Sequence, residues 1–278
     1  MRSASFTTIF STLLIAVLCS VSAGQRLAFA WETDPVCDKF VAAMVDAATP
    51  RFKVLDTDQS QTAIRSSIGN RFYNLTSEQG VLAANVAGSD LIVFTKAQAL
   101  RRHSFELGDH YESWAAVFLV EGRSGTLMAH RLESGIGKTE NDSIDKLLAR
   151  ADEAIDGLSD AVANFKRSSV GEAKSVASAP TANSKDARGF VAPIPYSRIK
   201  PEYTQTAYLY SVTATVEIEI DLDETGKITR TQIVRWAGFG LDESVERAVR
   251  AMNWRPAYFG KTARPIRFVA QYNFRKPQ

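Results

Sequence analysis

The segment SVTATVEIEIDL (211–222) alternates polar and apolar residues without a break. Val212, Ala214, Val216, Ile218, Ile220 and Leu222 fall on one side, and Thr213, Thr215, Glu217, Glu219 and Asp221 on the other. Successive side chains point to opposite faces only in a strand, so the pattern calls for a β-strand with one buried and one wet face. DETG (223–226) then turns the chain, with Gly226 free to take positive φ. KITRTQIVRW (227–236) returns as a second strand whose less regular phase predicts a bulge.

The spacing changes at LDESVERAVRAM (241–252), where Leu241, Val245, Ala248, Val249 and Met252 share a helical face. Asp242 and Glu243 in its first turn and Arg250 near its end complement the helix dipole. Pro256 in NWRPA stops it. RPIRFVAQYNF (264–274) closes as a strand with Ile266, Phe268, Ala270, Tyr272 and Phe274 on one face. The order is β-β-α-β, an α+β domain over 190–278.

Upstream, residues 166–189 are rich in Ala, Ser and Lys and lack apolar periodicity, a composition that reads as a flexible linker. Before it, residues 31–165 read as a separate α/β domain. CDKFVAAMVDAA (37–48) is helical, FKVLD (52–56) a short strand, and SEQGVLAANVAG (77–88) a helix stopping at Gly88. SDLIVFT (89–95) is a buried strand, and YESWAAVFLVE and TLMAHRLE flank a hairpin turn at GRSG (122–125). One apolar stripe from Ile144 to Phe165 predicts a closing helix.

Arg2 precedes an apolar run, Ile9–Cys19, too short for a comfortable membrane span. SVSAGQ behind it places Val21 and Ala23 as a signal peptidase expects, and AFA (28–30) is a second candidate site. The expectation is export to the periplasm, with a signal peptide at 1–23 or reaching to 30. An uncleaved inner-membrane anchor facing the periplasm is the alternative. The mature chain then keeps a single cysteine, Cys37, in an apolar helical context that predicts a packed, inert thiol. Net charge is +2 over 278 residues, which argues against a nucleic-acid partner.

Residues 201–274 resemble the TonB C-terminal domain family. The residues carrying the resemblance are Pro201 and Tyr203 at the entry, Gly226 in the DETGKI turn, the helix, and Trp254 and Pro256 in WRPA. Thr204 stands where that family has proline, and Ala214 where a glycine is common. A cleaved leader and the absence of a long Pro-rich spacer also depart from a TonB transducer. The first domain resembles, more loosely, the periplasmic domains of the curli-secretion protein CsgG, the TolB N-terminal domain and penicillin-binding-protein activators. The residues concerned are FKVLDTDQSQTAI, GSDLIVF and GRSGTLM.

The candidate chemistries reduce to binding. LESGIGKTEND (132–142) looks like a phosphate-binding loop, but Leu132 stands where the motif needs its first glycine, and an exported protein meets no ATP pool. Gly135 and Gly137 therefore read as loop residues, with Lys138 solvated. His103, His110 and His130 lack metal-ligand spacing, and LRRHSFELGDHYESW (100–114) reads as a polar exposed loop. Trp254 reads as a plug between helix and sheet. No catalytic residue, cofactor, metal or small-molecule substrate is expected.

An outer strand, by contrast, keeps unpaired N–H and C=O groups that accept an extended peptide. TonB-like domains take a receptor's peptide beside their last strand. The resemblance thus implies a partner surface at Arg267, Phe268, Val269, Ala270, Gln271, Tyr272 and Asn273. The implied partner is an envelope protein, an outer-membrane receptor or assembly component; edge strands also allow a homodimer. The expected function is non-enzymatic partner binding in the envelope, in transport across the outer membrane. The alternatives are a membrane-anchored energy transducer and an envelope-assembly or cell-wall scaffold.

Overall fold

The computed structural model describes residues 24–168, 176–180 and 188–277; the expected signal peptide at 1–23 lies outside them. The N-terminal half contains β1 (Arg26–Trp31), α1 (Pro35–Ala48), β2 (Lys53–Val54), α2 (Thr57–Ile68), α3 (Ser77–Ala87), β3 (Leu91–Ser104), β4 (Gly108–Glu121), β5 (Leu127–Gly137), α4 (Glu140–Leu148) and α5 (Ala151–Ser168). Local chemistry sets several ends. Asp34 caps α1 by accepting from Val36 N–H, with Pro35 at the first helical position. Thr76 and Gln79 form a reciprocal capping box on α3, which ends at Gly88 with φ 66°.

The sheet runs β2-β1-β3-β4-β5, with β1 parallel to β2 and β3 and the rest antiparallel. Both faces of its central strands are buried. Val93, Ala115, Val117 and Leu119 pack with α1, α4 and α5. Ile92, Phe94, Trp114, Ala116 and Phe118 point the other way, into a second cluster.

The C-terminal half contains β6 (Phe190–Val191), β7 (Ile194–Pro195), α6 (Gln205–Leu209), β8 (Ala214–Leu222), β9 (Ile228–Arg235), α7 (Leu241–Ala251), β10 (Trp254–Arg255), β11 (Ala257–Phe259), β12 (Thr262–Arg264) and β13 (Ile266–Phe274). Its main sheet is antiparallel, in the order β13-β8-β9. The β8–β9 register shifts at Glu217/Ile218 and at Asp221/Leu222, the irregularity the phase of the second strand predicts. The α/β half and the β-β-α-β half are both as expected.

The second cluster joins the two halves. Trp236, Ala237 and Phe239 leave β9 and enter the face of the first sheet. Trp236 is fully buried, 5.4 Å from Phe118 and 6.0 Å from Phe94 by ring centroid. Phe239, at φ 54°, meets Tyr73, Trp114, His130 and Tyr210. Gly238 passes so close to His130 that a Cβ would lie 2.5 Å from the imidazole. Polar bonds frame this contact. Asn74 Nδ2 donates to Thr215 O (2.6 Å) and Trp236 O (2.9 Å), Thr215 N–H donates back to Asn74 Oδ1, and Tyr210 donates to the buried Glu112 carboxylate at 2.7 Å.

Several expectations are corrected. AFA (28–30) lies inside β1 and is buried, so cleavage after Ala30 would delete an inner strand, and the sheet starts ahead of the expected boundary at 31. The polar stretch 100–114 is mostly ladder: β3 runs to Ser104 and β4 starts at Gly108, paired throughout. Gly135 and Gly137 belong to β5, where a Cβ would meet the α4 backbone at 2.4 and 2.5 Å, so their lack of a side chain lets α4 pack on the strand. The closing helix is two helices, α4 and α5. Of the expected linker, 166–168 continue α5 and 176–180 lie along the second half, while 169–175 and 181–187 are outside the described residues. No helix among the described residues is long and apolar enough to cross a membrane.

Candidate partner-binding edge

β13 has β8 on one side, in register from Ile266↔Leu222 to Phe274↔Ala214. On its other side the linker touches it once: Ala179 N–H donates to Arg267 O at 2.7 Å, and Arg267 N–H donates to Ala177 O at 2.8 Å. This is a parallel bridge centred on Ser178. It orients every backbone group of the strand, because the N–H and C=O of one residue point to one side and those of the next residue to the other. Arg267, Val269, Gln271 and Asn273 therefore face outward, while Phe268, Ala270 and Tyr272 bond inward to β8. Beyond Arg267 no further strand pairs with that edge among the described residues.

Side chains alternate as expected. Phe268, Ala270 and Tyr272 are half-buried or edge-exposed against the core, whereas Val269, at 53% relative exposure, Gln271 and Asn273 are open to solvent. The other face of the sheet is ionic. Arg267 forks onto Asp221 with two 2.7 Å bonds and reaches Glu219 at 3.3 Å; Arg235 pairs with Glu217 at 3.2 Å. Asp221, assigned to the wet face from the alternation, is in fact buried beneath Arg267. The guanidinium pKa is raised, first by the hydrogen bond to Asp221. Arg267 thus supports the sheet as well as lining the edge, and reversing its charge would leave buried Asp221 facing a like charge.

The residues shared with the TonB C-terminal pattern gather at two points. Gly226, at φ 87°, runs against the WRPA segment, where a Cβ would lie 2.1 Å from Trp254 O and 3.2 Å from Pro256 N. Trp254 is buried, edge-on to Phe268 at 5.3 Å, which is the expected plug behind β13. At the entry, Tyr203 Oη lies 2.7 Å from Val212 O and 3.0 Å from Ala207 O, and Pro201 is buried. Thr204, the departure from proline, caps α6 by accepting from Ala207 N–H, and donates to Phe239 O at 2.6 Å. That hydroxyl ties the entry to the loop that docks the two halves. Neither the docking loop WAGFG (236–240) nor the Ala177–Ala179 contact was signalled by periodicity. The two glycines around Phe239 were the one available hint.

The remaining candidates do not assemble. His103 sits exposed on Asp109, His110 is buried with its ring on Gly108 O, and His130 is buried in the domain contact, where burial lowers its pKa to about 4. No metal-binding group of His, Cys, Asp and Glu occurs among the described residues. Cys37 is buried, and burial raises its thiol pKa. Thr139 caps α4, and Lys138 is exposed. A cavity of about 700 Å³ where β8 begins and β13 ends has no His, Cys, Asp or Glu in its lining. Asp242, at the start of α7, accepts from Ala237 and Gly238 N–H at 2.9 Å each; burial outweighs these donors and lifts its pKa to about 7.

No curated protein matches the chain. Among solved structures, a hypothetical protein of Chlamydia trachomatis matches with 8% identity and a TM-score of 0.36, over 50% of this chain and 98% of that one. A lipoprotein of Neisseria meningitidis follows at 13% and 0.33, over 50% and 99%. A competence-damaged protein (CinA) superfamily member of Klebsiella pneumoniae matches at 15% and 0.29, over 52% and 91%. TM-scores this low decide nothing about fold or function. The C-terminal half is different: residues 199–275, which hold the whole β13-β8-β9 sheet and its open edge, match the family of the Gram-negative bacterial TonB protein C-terminal.

Proposed function

We propose that the protein acts in the periplasm as a non-enzymatic adaptor that binds an envelope partner, an outer-membrane receptor or assembly component, by adding the partner's strand to β13. The observation that carries this reading is the stretch of β13 where Val269, Gln271 and Asn273 turn their backbone groups away from β8 and pair with no other strand among the described residues. Backbone bonds there would supply affinity, and the exposed Val269, Gln271 and Asn273 side chains selectivity. The family match at 199–275 supports a TonB-type interaction domain. The other long edge of the sheet, β9, faces the first half: Thr76 bridges to Arg235, and Trp236 N–H donates to Leu75 O. That contact occupies only the Arg235 end of β9; the choice of β13 follows the resemblance to the TonB C-terminal domain family, which takes a peptide beside its last strand.

Two proline substitutions test the reading, because proline removes one N–H. Val269→Pro removes an outward donor; the variant should stay folded by circular dichroism and lose capture of its partner from solubilised outer membrane. Ala270→Pro removes an inward donor to β8 and should lose folded structure. Full capture by a folded Val269→Pro would refute strand addition at β13. Self-association that Val269→Pro abolishes, without capture of any other protein, would identify the partner as a second copy of this chain.

A further inference from the structure

The contact at Arg267 has the form of a bound strand. Two bonds, Ala179 N–H to Arg267 O and Arg267 N–H to Ala177 O, are one full step of a parallel ladder. Alternation turns the backbone groups of Ser178 and the nitrogen of Pro180 away from β13. Pro180 has no N–H, so the strap presents no donor there for a further strand. The side chains on the strap are small, and only Ala179 packs against the apolar cluster. Among the described residues, two backbone bonds and the Ala179 methyl group hold it. Among the described residues it pairs with Arg267 alone, and no other segment pairs with Val269, Gln271 or Asn273.

We propose that Ala177–Ala179 is an intramolecular stand-in for the partner strand, capping β13 at Arg267 until the partner displaces it. This rests on β13 being the partner edge. The partner begins pairing at the open end, Asn273 to Val269, and removes the strap as pairing reaches Arg267. A tethered competitor acts at a high effective concentration, so even this small contact raises the threshold for binding. It also shields part of an edge that would otherwise invite pairing between copies.

The test uses the full chain with Ala179→Pro, which removes the N–H donated to Arg267 O and keeps an apolar side chain where Ala179 meets the cluster. Backbone amide exchange reads the strap itself. Arg267 should exchange roughly tenfold faster in the variant, in keeping with the net worth of a hydrogen bond, while Phe268 and Ala270, bonded to β8, hold their rates. Capture from solubilised outer membrane reads the competition: the variant should take the protein held by the wild type at a several-fold lower concentration. Equal exchange at Arg267 in both proteins overturns the strap. Faster exchange with unchanged capture, where Val269→Pro still abolishes capture, overturns the competition and leaves the edge reading standing. Capture that survives Val269→Pro removes the edge reading and this proposal with it.

Discussion

Replacing Trp236 with alanine should separate the two halves of the molecule. The indole is fully buried against Phe118 of β4 and Phe94 of β3. A buried tryptophan removes roughly 200 Å² from water, which at about 25 cal/mol per Å² is about 5 kcal/mol. The unfolded chain keeps part of that burial, and the indole Nε1 is buried without a hydrogen-bond partner, so the net loss falls to about 3–4 kcal/mol. That is between two and three powers of ten in the docking equilibrium. The assay is a protease site inserted between Asn183 and Ser184, followed by cleavage and gel filtration. The cut wild type should elute as one species and the cut Trp236→Ala variant as two. The uncut variant should melt about 6–16 °C lower. If the cut wild-type halves separate at micromolar concentration, or Trp236→Ala melts within about 2 °C of the wild type, the shared core does not hold the halves together.

Protonation acts on the same contact in two opposing ways. Burial depresses His130 from 6.5 to about 4, so its neutral form contributes about 3 kcal/mol that is present above pH 6.5 and lost as pH falls toward 4. Asp242 acts on the other side: its raised pKa means the stability of its neutral form is lost as pH rises through about 7. Both effects fall between about pH 4 and 7 with opposite slopes, so they largely cancel in the wild type. His130→Phe should remove one of them and leave melting temperature falling as pH rises from about 4 to about 7, and a profile identical to the wild type would clear His130 of the role. Gly135→Ala should cost about 1–3 kcal/mol, because its Cβ would meet Ser143 O and Leu147 N, whereas Gly24→Ala, with nothing within 4 Å, should be silent in the same melt.

The C-terminal half was legible because its signals are local and redundant. Period-two alternation in β8 and β13, a turn glycine between β8 and β9, and a helical stripe ended by Pro256 all point to one arrangement. Trp254, at a helix end before proline, was legible as a plug between helix and sheet, while its place against Phe268 of β13 came from the structure. The first half was legible as a series of elements, though not at their junctions. In the stretch from Leu100 to Trp114 the polar residues lie in a ladder that extends beyond the core, where backbone pairing continues without apolar side chains to mark it. Gly135 and Gly137 looked like loop residues because composition does not say whether a glycine supplies a turn or room for a helix.

What the sequence showed is the main elements of the second half, the faces of β8 and β13, and, by family resemblance, the last strand as the candidate edge. The elements and faces rest on the spacing of residues near one another in the chain, and the edge on the resemblance to the TonB C-terminal domain family. Tertiary structure alone decided what covers those faces. The continuous apolar run of β3 requires both sides of the first sheet to be buried, but nothing in it names Trp236 and Phe239, more than a hundred residues away, as the cover. The same holds for Ala177–Ala179 on Arg267. Any extended segment can donate and accept backbone hydrogen bonds, so side-chain pattern carries no record of which strand edge such a segment will meet.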